Sequence, residues 1–297
     1  MRGKEFSRQI YVRARKRLGL QKRKINELMA RPFESKDLPP APQGWKVGPP
    51  HFVGIASGKA GTTWWYQLLI EHPSVEPNRL NRKELCYFYH FGYRGISSDA
   101  IDVYRQAFAA PSGSICGEWS PGYLSYPLAI DHLARAVPEA KVLAIVRNPV
   151  DRVLSAQNQQ LSKRAKFMNL KGDRAYIYKT FSIFQEVTFH SLLHESFQRL
   201  LNTFDRSQLL VLQYEKCKKD PRSEIARTYR FLEIDDSYIP TWLNRGVNVS
   251  AYILPKFDPK ERALLADYFS EDIKSFVKLF PEIDLSLWPD FENSHGK

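Results

Sequence analysis

The chain has 297 residues, enough for one large α/β domain or two small ones, and its 43% hydrophobic and 26% charged residues exclude disordered, collagenous and coiled-coil descriptions of the whole. The formal net charge of +12 is concentrated in one place: residues 1–31 hold 11 Lys/Arg against 2 Asp/Glu, while the other 266 residues hold 33 against 30. Cys86, Cys116 and Cys217 form no CxxC or Cys/His cluster, which argues against a disulfide framework and structural zinc, and no run of about 18 apolar residues marks a membrane span or secretion signal, so a reduced, cytoplasmic protein is expected.

Taken in chain order, residues 1–31 space Ile10, Ala14, Leu18, Ile25 and Leu28 at a near-helical interval among the cations. This predicts an amphipathic helix suited to an anionic membrane surface or to packing on the domain. Pro32, Pro39, Pro40, Pro42, Pro49 and Pro50 predict an extended linker over 32–50. A folded domain is expected over 51–297. It opens with an apolar strand over 51–56, a small-residue loop over 57–61, and a helix from Thr62 to Glu71. The same unit recurs as the strand Lys141 to Val146, the turn Arg147-Asn148-Pro149, and a helix from Val150 to Leu161. The segment 163–180 is polar, basic and poorly periodic, and is read as an insertion or flap. A third strand, Leu209 to Tyr214, precedes a helix that follows Asp220-Pro221 and runs to about Leu232. Asp258 to Phe280 reads as a long amphipathic helix with Pro259 in its first turn and Pro281 as its stop. Apolar strands alternating with helices predict an α/β fold with a central, mainly parallel sheet covered by helices on both faces.

The segment Ser57-Gly58-Lys59-Ala60-Gly61-Thr62-Thr63 lies between the first strand and its helix. Its glycines let successive backbone N–H groups turn inward, the helix N-terminus adds partial positive charge, and Lys59 adds a full one, which together make an anion cradle. It is not a Walker A loop, because Ala60 stands where the Mg²⁺-holding Ser or Thr would follow the lysine. A kinase-like phosphoryl transferase is therefore the alternative enzyme. A basic nucleic-acid-binding protein would explain the amino-terminal charge and leave this loop unexplained.

The loop and its helix, Lys59-Ala60-Gly61-Thr62-Thr63 through Leu68-Leu69-Ile70-Glu71-His72-Pro73, resemble the first signature of the sulfotransferases that use 3′-phosphoadenosine 5′-phosphosulfate (PAPS). Arg147-Asn148-Pro149-Val150-Asp151-Arg152 with Ser155 resembles their second signature, in family order and also at a strand-to-helix junction. The resemblance covers about 51–285. It implies a three-layer, P-loop-like sandwich in which the first loop holds the 5′-phosphosulfate and Arg147 with Ser155 holds the 3′-phosphate. PAPS would be the donor, adenosine 3′,5′-bisphosphate the product, and no metal would be needed. A guanidinium forking onto phosphate oxygens suits that assignment independently. A looser match, Arg245-Gly246-Val247-Asn248-Val249-Ser250, offers Arg245, Asn248 and Ser250 as further nucleotide ligands.

On the acceptor side, Gly117-Glu118-Trp119-Ser120-Pro121-Gly122-Tyr123 looks like an element of the carbohydrate-acting branch, in which the Glu is the proposed base. The resemblance implies catalysis by Lys59 and Glu118, with Trp119 and Tyr123 against an acceptor. Trp119 departs from the Lys common there and suggests a flat or apolar contact. Lys83-Glu84-Leu85-Cys86-Tyr87-Phe88 resembles a cleft-lining segment of the family, with Lys83 placed to meet an anionic acceptor or the sulfuryl group, and His90 is the rival base. The expected reaction is sulfuryl transfer to a hydroxyl or amine of a glycan, glycolipid or small molecule by in-line displacement.

Overall fold

The computed structural model describes residues 31–157, 191–244 and 258–292. The predicted helix at the amino terminus, the 163–180 segment and the loop bearing Arg245, Asn248 and Ser250 lie outside the described residues. Five parallel strands form the central sheet: β2 (Phe52–Ala56), β3 (Val75–Pro77), β5 (Ile115–Trp119), β6 (Lys141–Val146) and β7 (Leu209–Gln213), ordered β3-β5-β2-β6-β7. The strand that precedes the cradle is thus the central one. Because every pairing is parallel, the loops that follow all five strands open at the same, carboxyl edge.

The strands alternate with period two even though both faces are buried. Val53 and Ile55 of β2, Val142, Ala144 and Val146 of β6, and Leu209 and Val211 of β7 join one core. Phe52 and Ala56, Leu143 and Ile145, and Leu210 and Leu212 join the other. The second core is closed by α1 (Thr62–Glu71), α6 (Tyr214–Lys219) and α7 (Pro221–Leu232) through Trp65, Leu68, Leu69, Cys217, Ile225 and Tyr229. The first is closed by α2 (Ser98–Gln106), α3 (Pro127–Ala136), α4 (149–157), α5 (His194–Leu201) and α8 (Pro259–Leu279). This is the expected three-layer sandwich. Among the described residues no helix is long and apolar enough to cross a membrane.

The proline-rich stretch differs from the extended linker that was expected. Phe33 and Leu38 are buried in the first core, and the Phe33 ring lies 4.5 Å from that of Tyr87. Residues Lys46–Gly48 form β1, which pairs antiparallel with β4 (Phe108–Ala110) in a separate two-stranded ribbon. The prolines stop helix formation without preventing docking, because two apolar side chains and a short strand among them have a core and a partner to meet.

Gly54 sits mid-strand on β2, where a glycine ordinarily weakens a strand, and a close approach explains it. A Cβ at that position would come 2.0 Å from Cδ2 of Trp119, whose indole lies across the strand. Gly54→Ala should therefore lower stability by about 1–3 kcal/mol, the usual cost of overpacking a core. Chemical unfolding of both forms checks this, and an unchanged midpoint would mean that the indole moves aside freely.

Candidate active site

Residues 57–61 turn from β2 into α1, and the turn needs unusual backbone: Lys59 has φ +73° and Gly61, the N-cap of α1, has φ +84°. Gly61 is required twice over, since a Cβ there would lie 2.7 Å from the ring of Tyr214. Two arginines of the second motif hold the turn, one just after the neighbouring strand β6 and one on α4. Arg147 Nη1 donates to the Lys59 carbonyl at 3.0 Å, and the buried Arg152 donates through Nη1 to the Gly58 carbonyl at 3.2 Å. With those carbonyls held, the first N–H groups of α1 stay at the carboxyl edge without partners inside the helix. The sheet thus brings the two predicted phosphate motifs, 88 residues apart in sequence, into direct contact.

Two buried polar atoms at this junction have no partner among the described residues, Ser57 Oγ and Arg147 Nε. Buried groups of this kind are costly unless something bonds them, and together with the cationic turn they fit an oxyanion ligand. Arg147 is further fixed by an aromatic face: its guanidinium carbon lies 4.8 Å from the Tyr214 ring centroid. Asn148 anchors the same corner. Its side chain accepts from the Val150 amide at 2.9 Å and donates to Asp290 at 2.8 Å, while its own N–H donates to Glu215 at 3.0 Å. Glu215, whose carboxyl burial pushes above the ordinary range, also accepts from the Trp288 indole at 2.8 Å. Arg262 ties Asp290 to Asp151, so the carboxyl-terminal segment braces the second motif. Ser155 lies on α4, partly buried, one turn beyond Asp151.

On the acceptor side the structure brings Lys83 to the first loop. Its Nζ donates to Oγ1 of Thr62, the first residue of α1, at 3.2 Å and to Oε1 of Glu84 at 2.7 Å. A lysine at a helix N-terminus faces the positive end of the helix dipole, an arrangement relieved by an anion beside it. Glu84 is about half exposed, at 51%, whereas the Lys83 side chain keeps 15% of its surface.

Three expected site residues, Glu118, Trp119 and Tyr123, are fully buried. Glu118 is 0% exposed and accepts from Ser120 Oγ (2.5 Å), Tyr104 Oη (2.8 Å), the Leu85 amide (3.2 Å) and Tyr123 Oη (3.3 Å). Burial raises its carboxyl above the ordinary value, and those donors partly oppose the rise. It therefore presents no oxygen to an acceptor molecule. Trp119 is fully buried in the second core, across Gly54, and Tyr123 is fully buried with its hydroxyl taken up by the Tyr87 amide and Glu118, so neither lines an acceptor surface. His90 ends a short 3-10 turn, Tyr87–His90, is partly buried, and has its pKa lowered by that burial.

A family model described as the sulfotransferase domain matches residues 49–245. The chain belongs to the sulfotransferase domain family. Similar proteins include the membrane-associated sulfotransferase kil1 of Dictyostelium discoideum, 30% identical over 106 residues, which cover 36% of this chain and 22% of that one. Bifunctional heparan sulfate N-deacetylase/N-sulfotransferase 4 of Mus musculus is 27% identical over 208 residues, covering 64% of this chain and 23% of that one. The match therefore spans less than a quarter of either relative. Among solved structures, a sulfotransferase from Alicyclobacillus acidocaldarius shares the fold with a TM-score of 0.64 and 24% identity, over 82% of this chain and all of that one.

In this sulfotransferase domain, sequence reasoning passed over Tyr214 and Glu84. Tyr214 is the first residue after a buried strand of the parallel sheet, a position that faces the ligand edge by topology. Glu84 is the sequence neighbour of Lys83. Replacing Tyr214 by Leu removes the aromatic face shared by Arg147 and Gly61. It should weaken binding of adenosine 3′,5′-bisphosphate by roughly 2- to 30-fold, the equivalent of about 0.5–2 kcal/mol for a cation–π contact. Calorimetric titration checks this, and an unchanged affinity would show that Arg147 needs no such support.

Proposed function

We propose that this domain transfers a sulfuryl group from PAPS to a hydroxyl or amine of a glycan. The observation that carries the reading is the Arg147–Lys59 contact, which joins two cationic turns beside two buried polar atoms unpartnered among the described residues and so supports one site for an anion with two phosphate-bearing ends. Family membership supports the same donor, and the glycan acceptor is favoured by relatives whose names specify heparan sulfate.

In this reading the amides at the start of α1 and Ser57 hold the sulfuryl and 5′-phosphate oxygens, and Arg147 with Ser155 holds the 3′-phosphate. Lys59 and Lys83 stabilise the oxygen between phosphorus and sulfur as its bond to sulfur breaks. The acceptor oxygen or nitrogen forms the new bond to sulfur from the opposite side, and its proton passes to a carboxylate. That base is Glu84 in place of Glu118: it is half exposed and adjoins Lys83 and the loop, whereas Glu118 is sealed and saturated. A phosphoryl-transfer reading lacks support, since Ala60 follows the loop lysine where a metal-binding hydroxyl would be needed.

Two outcomes follow. Adenosine 3′,5′-bisphosphate should raise the melting temperature clearly more than adenosine 5′-phosphosulfate, which lacks the 3′-phosphate, and Arg147→Ala should abolish the difference. Equal stabilisation of the unaltered chain by both nucleotides would remove the 3′-phosphate assignment. Glu84→Gln should lower turnover by roughly two to four orders of magnitude, as for loss of a general base, with affinity for adenosine 3′,5′-bisphosphate nearly intact. Transfer of labelled sulfate from PAPS to heparan sulfate measures the first quantity and calorimetry the second. Full activity in the Glu84 variant would place the base elsewhere.

A further inference from the structure

The segment that carries Lys83 and Glu84 has little regular structure of its own. It crosses a left-handed residue, Cys86 at φ +53°, a conformation that a side-chain-bearing residue holds only when its surroundings impose it. Those surroundings come from one place. Three successive amides of the segment are taken up by three side chains of the stretch 118–123. Leu85 N–H donates to Glu118 Oε2 at 3.2 Å, Cys86 N–H to Ser120 Oγ at 3.0 Å, and Tyr87 N–H to Tyr123 Oη at 2.8 Å. The Lys83 carbonyl accepts from the Trp119 amide at 3.0 Å, so the grip spans both sides of Glu84. All three gripping side chains are 0% exposed.

The carboxylate is what gives the two hydroxyls their direction. A hydroxyl has one proton to donate and lone pairs to accept with. Ser120 gives its proton to Glu118 at 2.5 Å and Tyr123 gives its own at 3.3 Å, which leaves the lone pairs of both oxygens for the amides of Cys86 and Tyr87. Glu118 is thus the common end of three connections to the segment, one direct and two through hydroxyls. Such a network, fully satisfied and out of water, rigidifies what it holds.

We propose that Glu118, Ser120 and Tyr123 are positioning residues, a buried clamp that sets the Lys83–Glu84 pair against Thr62 and thereby places the base relative to the acceptor. The proposal rests on the reading of Glu84 as base and adds to it the device that holds Glu84 in place. It assigns the Glu-x-Ser-Pro-x-Tyr pattern a role in geometry and none in proton transfer. The turn of the donor cradle is held by Arg147 and Arg152 and not by the clamp, so loosening the clamp acts on the transfer step, through Lys83 and Glu84, more than on nucleotide binding.

The test uses single-hydroxyl deletions in the full chain, which keep the carboxylate and the fold: Ser120→Ala and Tyr123→Phe, compared with Tyr229→Phe. The last removes a buried hydroxyl that bonds the Leu68 carbonyl at 3.0 Å in the other core and serves as the measure of a purely structural loss. With labelled PAPS and heparan sulfate as the probe acceptor, the two clamp variants should lose about 10- to 100-fold in kcat, as for a reacting group displaced by about 1 Å. Their Kd for adenosine 3′,5′-bisphosphate should stay within about threefold, and Tyr229→Phe should lower the melting temperature with kcat retained. Clamp variants that lose stability to the same degree as Tyr229→Phe while keeping kcat would overturn the proposal. Glu84→Gln run beside them separates the two readings. An inactive Glu84 variant with fully active clamp variants refutes the clamp and spares the base, whereas an active Glu84 variant refutes the base assignment on which the clamp depends.

Discussion

The parallel pairing of β2 between β5 and β6 is the constraint on which the rest of the molecule depends. It places the carboxyl ends of five strands along one edge, and each of the loops that leave this edge carries part of the proposed site. Lys59 follows β2, Lys83 and Glu84 follow β3, the clamp residues Ser120 and Tyr123 follow β5, Arg147 follows β6, and Tyr214 follows β7. The pairing in turn depends on the absence of a side chain at Gly54, which lets the Trp119 indole lie across the central strand. Among the described residues two layers of helix cover the sheet on both faces, and those loops converge at its carboxyl edge.

Charge is distributed around that edge in two tiers. Beside the N-terminus of α1 stand Lys59, Lys83 and Arg147, cations gathered where the helix dipole is already positive, with Glu84 offsetting one of them. Such a group is unfavourable by itself and favourable around an anion. Beneath it lie two carboxylates, Glu118, fully buried under the acceptor-side segment, and Glu215, partly buried under the second motif, each with its carboxyl raised by burial and each receiving hydrogen bonds from neighbouring amides and aromatic side chains. In the proposed reading the upper tier meets ligand. The lower tier fixes the backbone that presents the upper one, and the order of the tiers explains why the most deeply buried acid of the site is not the one suited to exchange a proton.

Much of this was legible from the chain alone. The strands 141–146 and 209–213, and the helices 62–71, 221–232 and 259–279, carry their signals locally, as unbroken apolar runs, a glycine cap, prolines at first turns and the stop at Pro281. The two turns proposed to hold phosphate stand out in the sequence for the same reason, because a cradle must be written in contiguous glycines, cations and hydroxyls. What was not legible depends on burial between distant segments. Glu118, Trp119 and Tyr123 form a polar and aromatic run whose composition fits a cleft wall as well as a core. Only the approach of residues 85–87 and of Tyr104 turns it into a core. Phe33 and Leu38 were hidden likewise, since prolines advertise an extended chain and say nothing of what it packs against. Glu84 was passed over because a residue beside a salient lysine has no local mark that separates a base from a surface partner.

In the proposed site one ligand with phosphate groups at both ends bridges the turn after β2 and the turn after β6. Hydrogen exchange of the full chain with and without adenosine 3′,5′-bisphosphate tests it most directly. The account predicts that protection on binding is concentrated in amides of 57–63 and of 147–155, in both segments together. Protection of one segment without the other, or of neither while the nucleotide is bound, would contradict it.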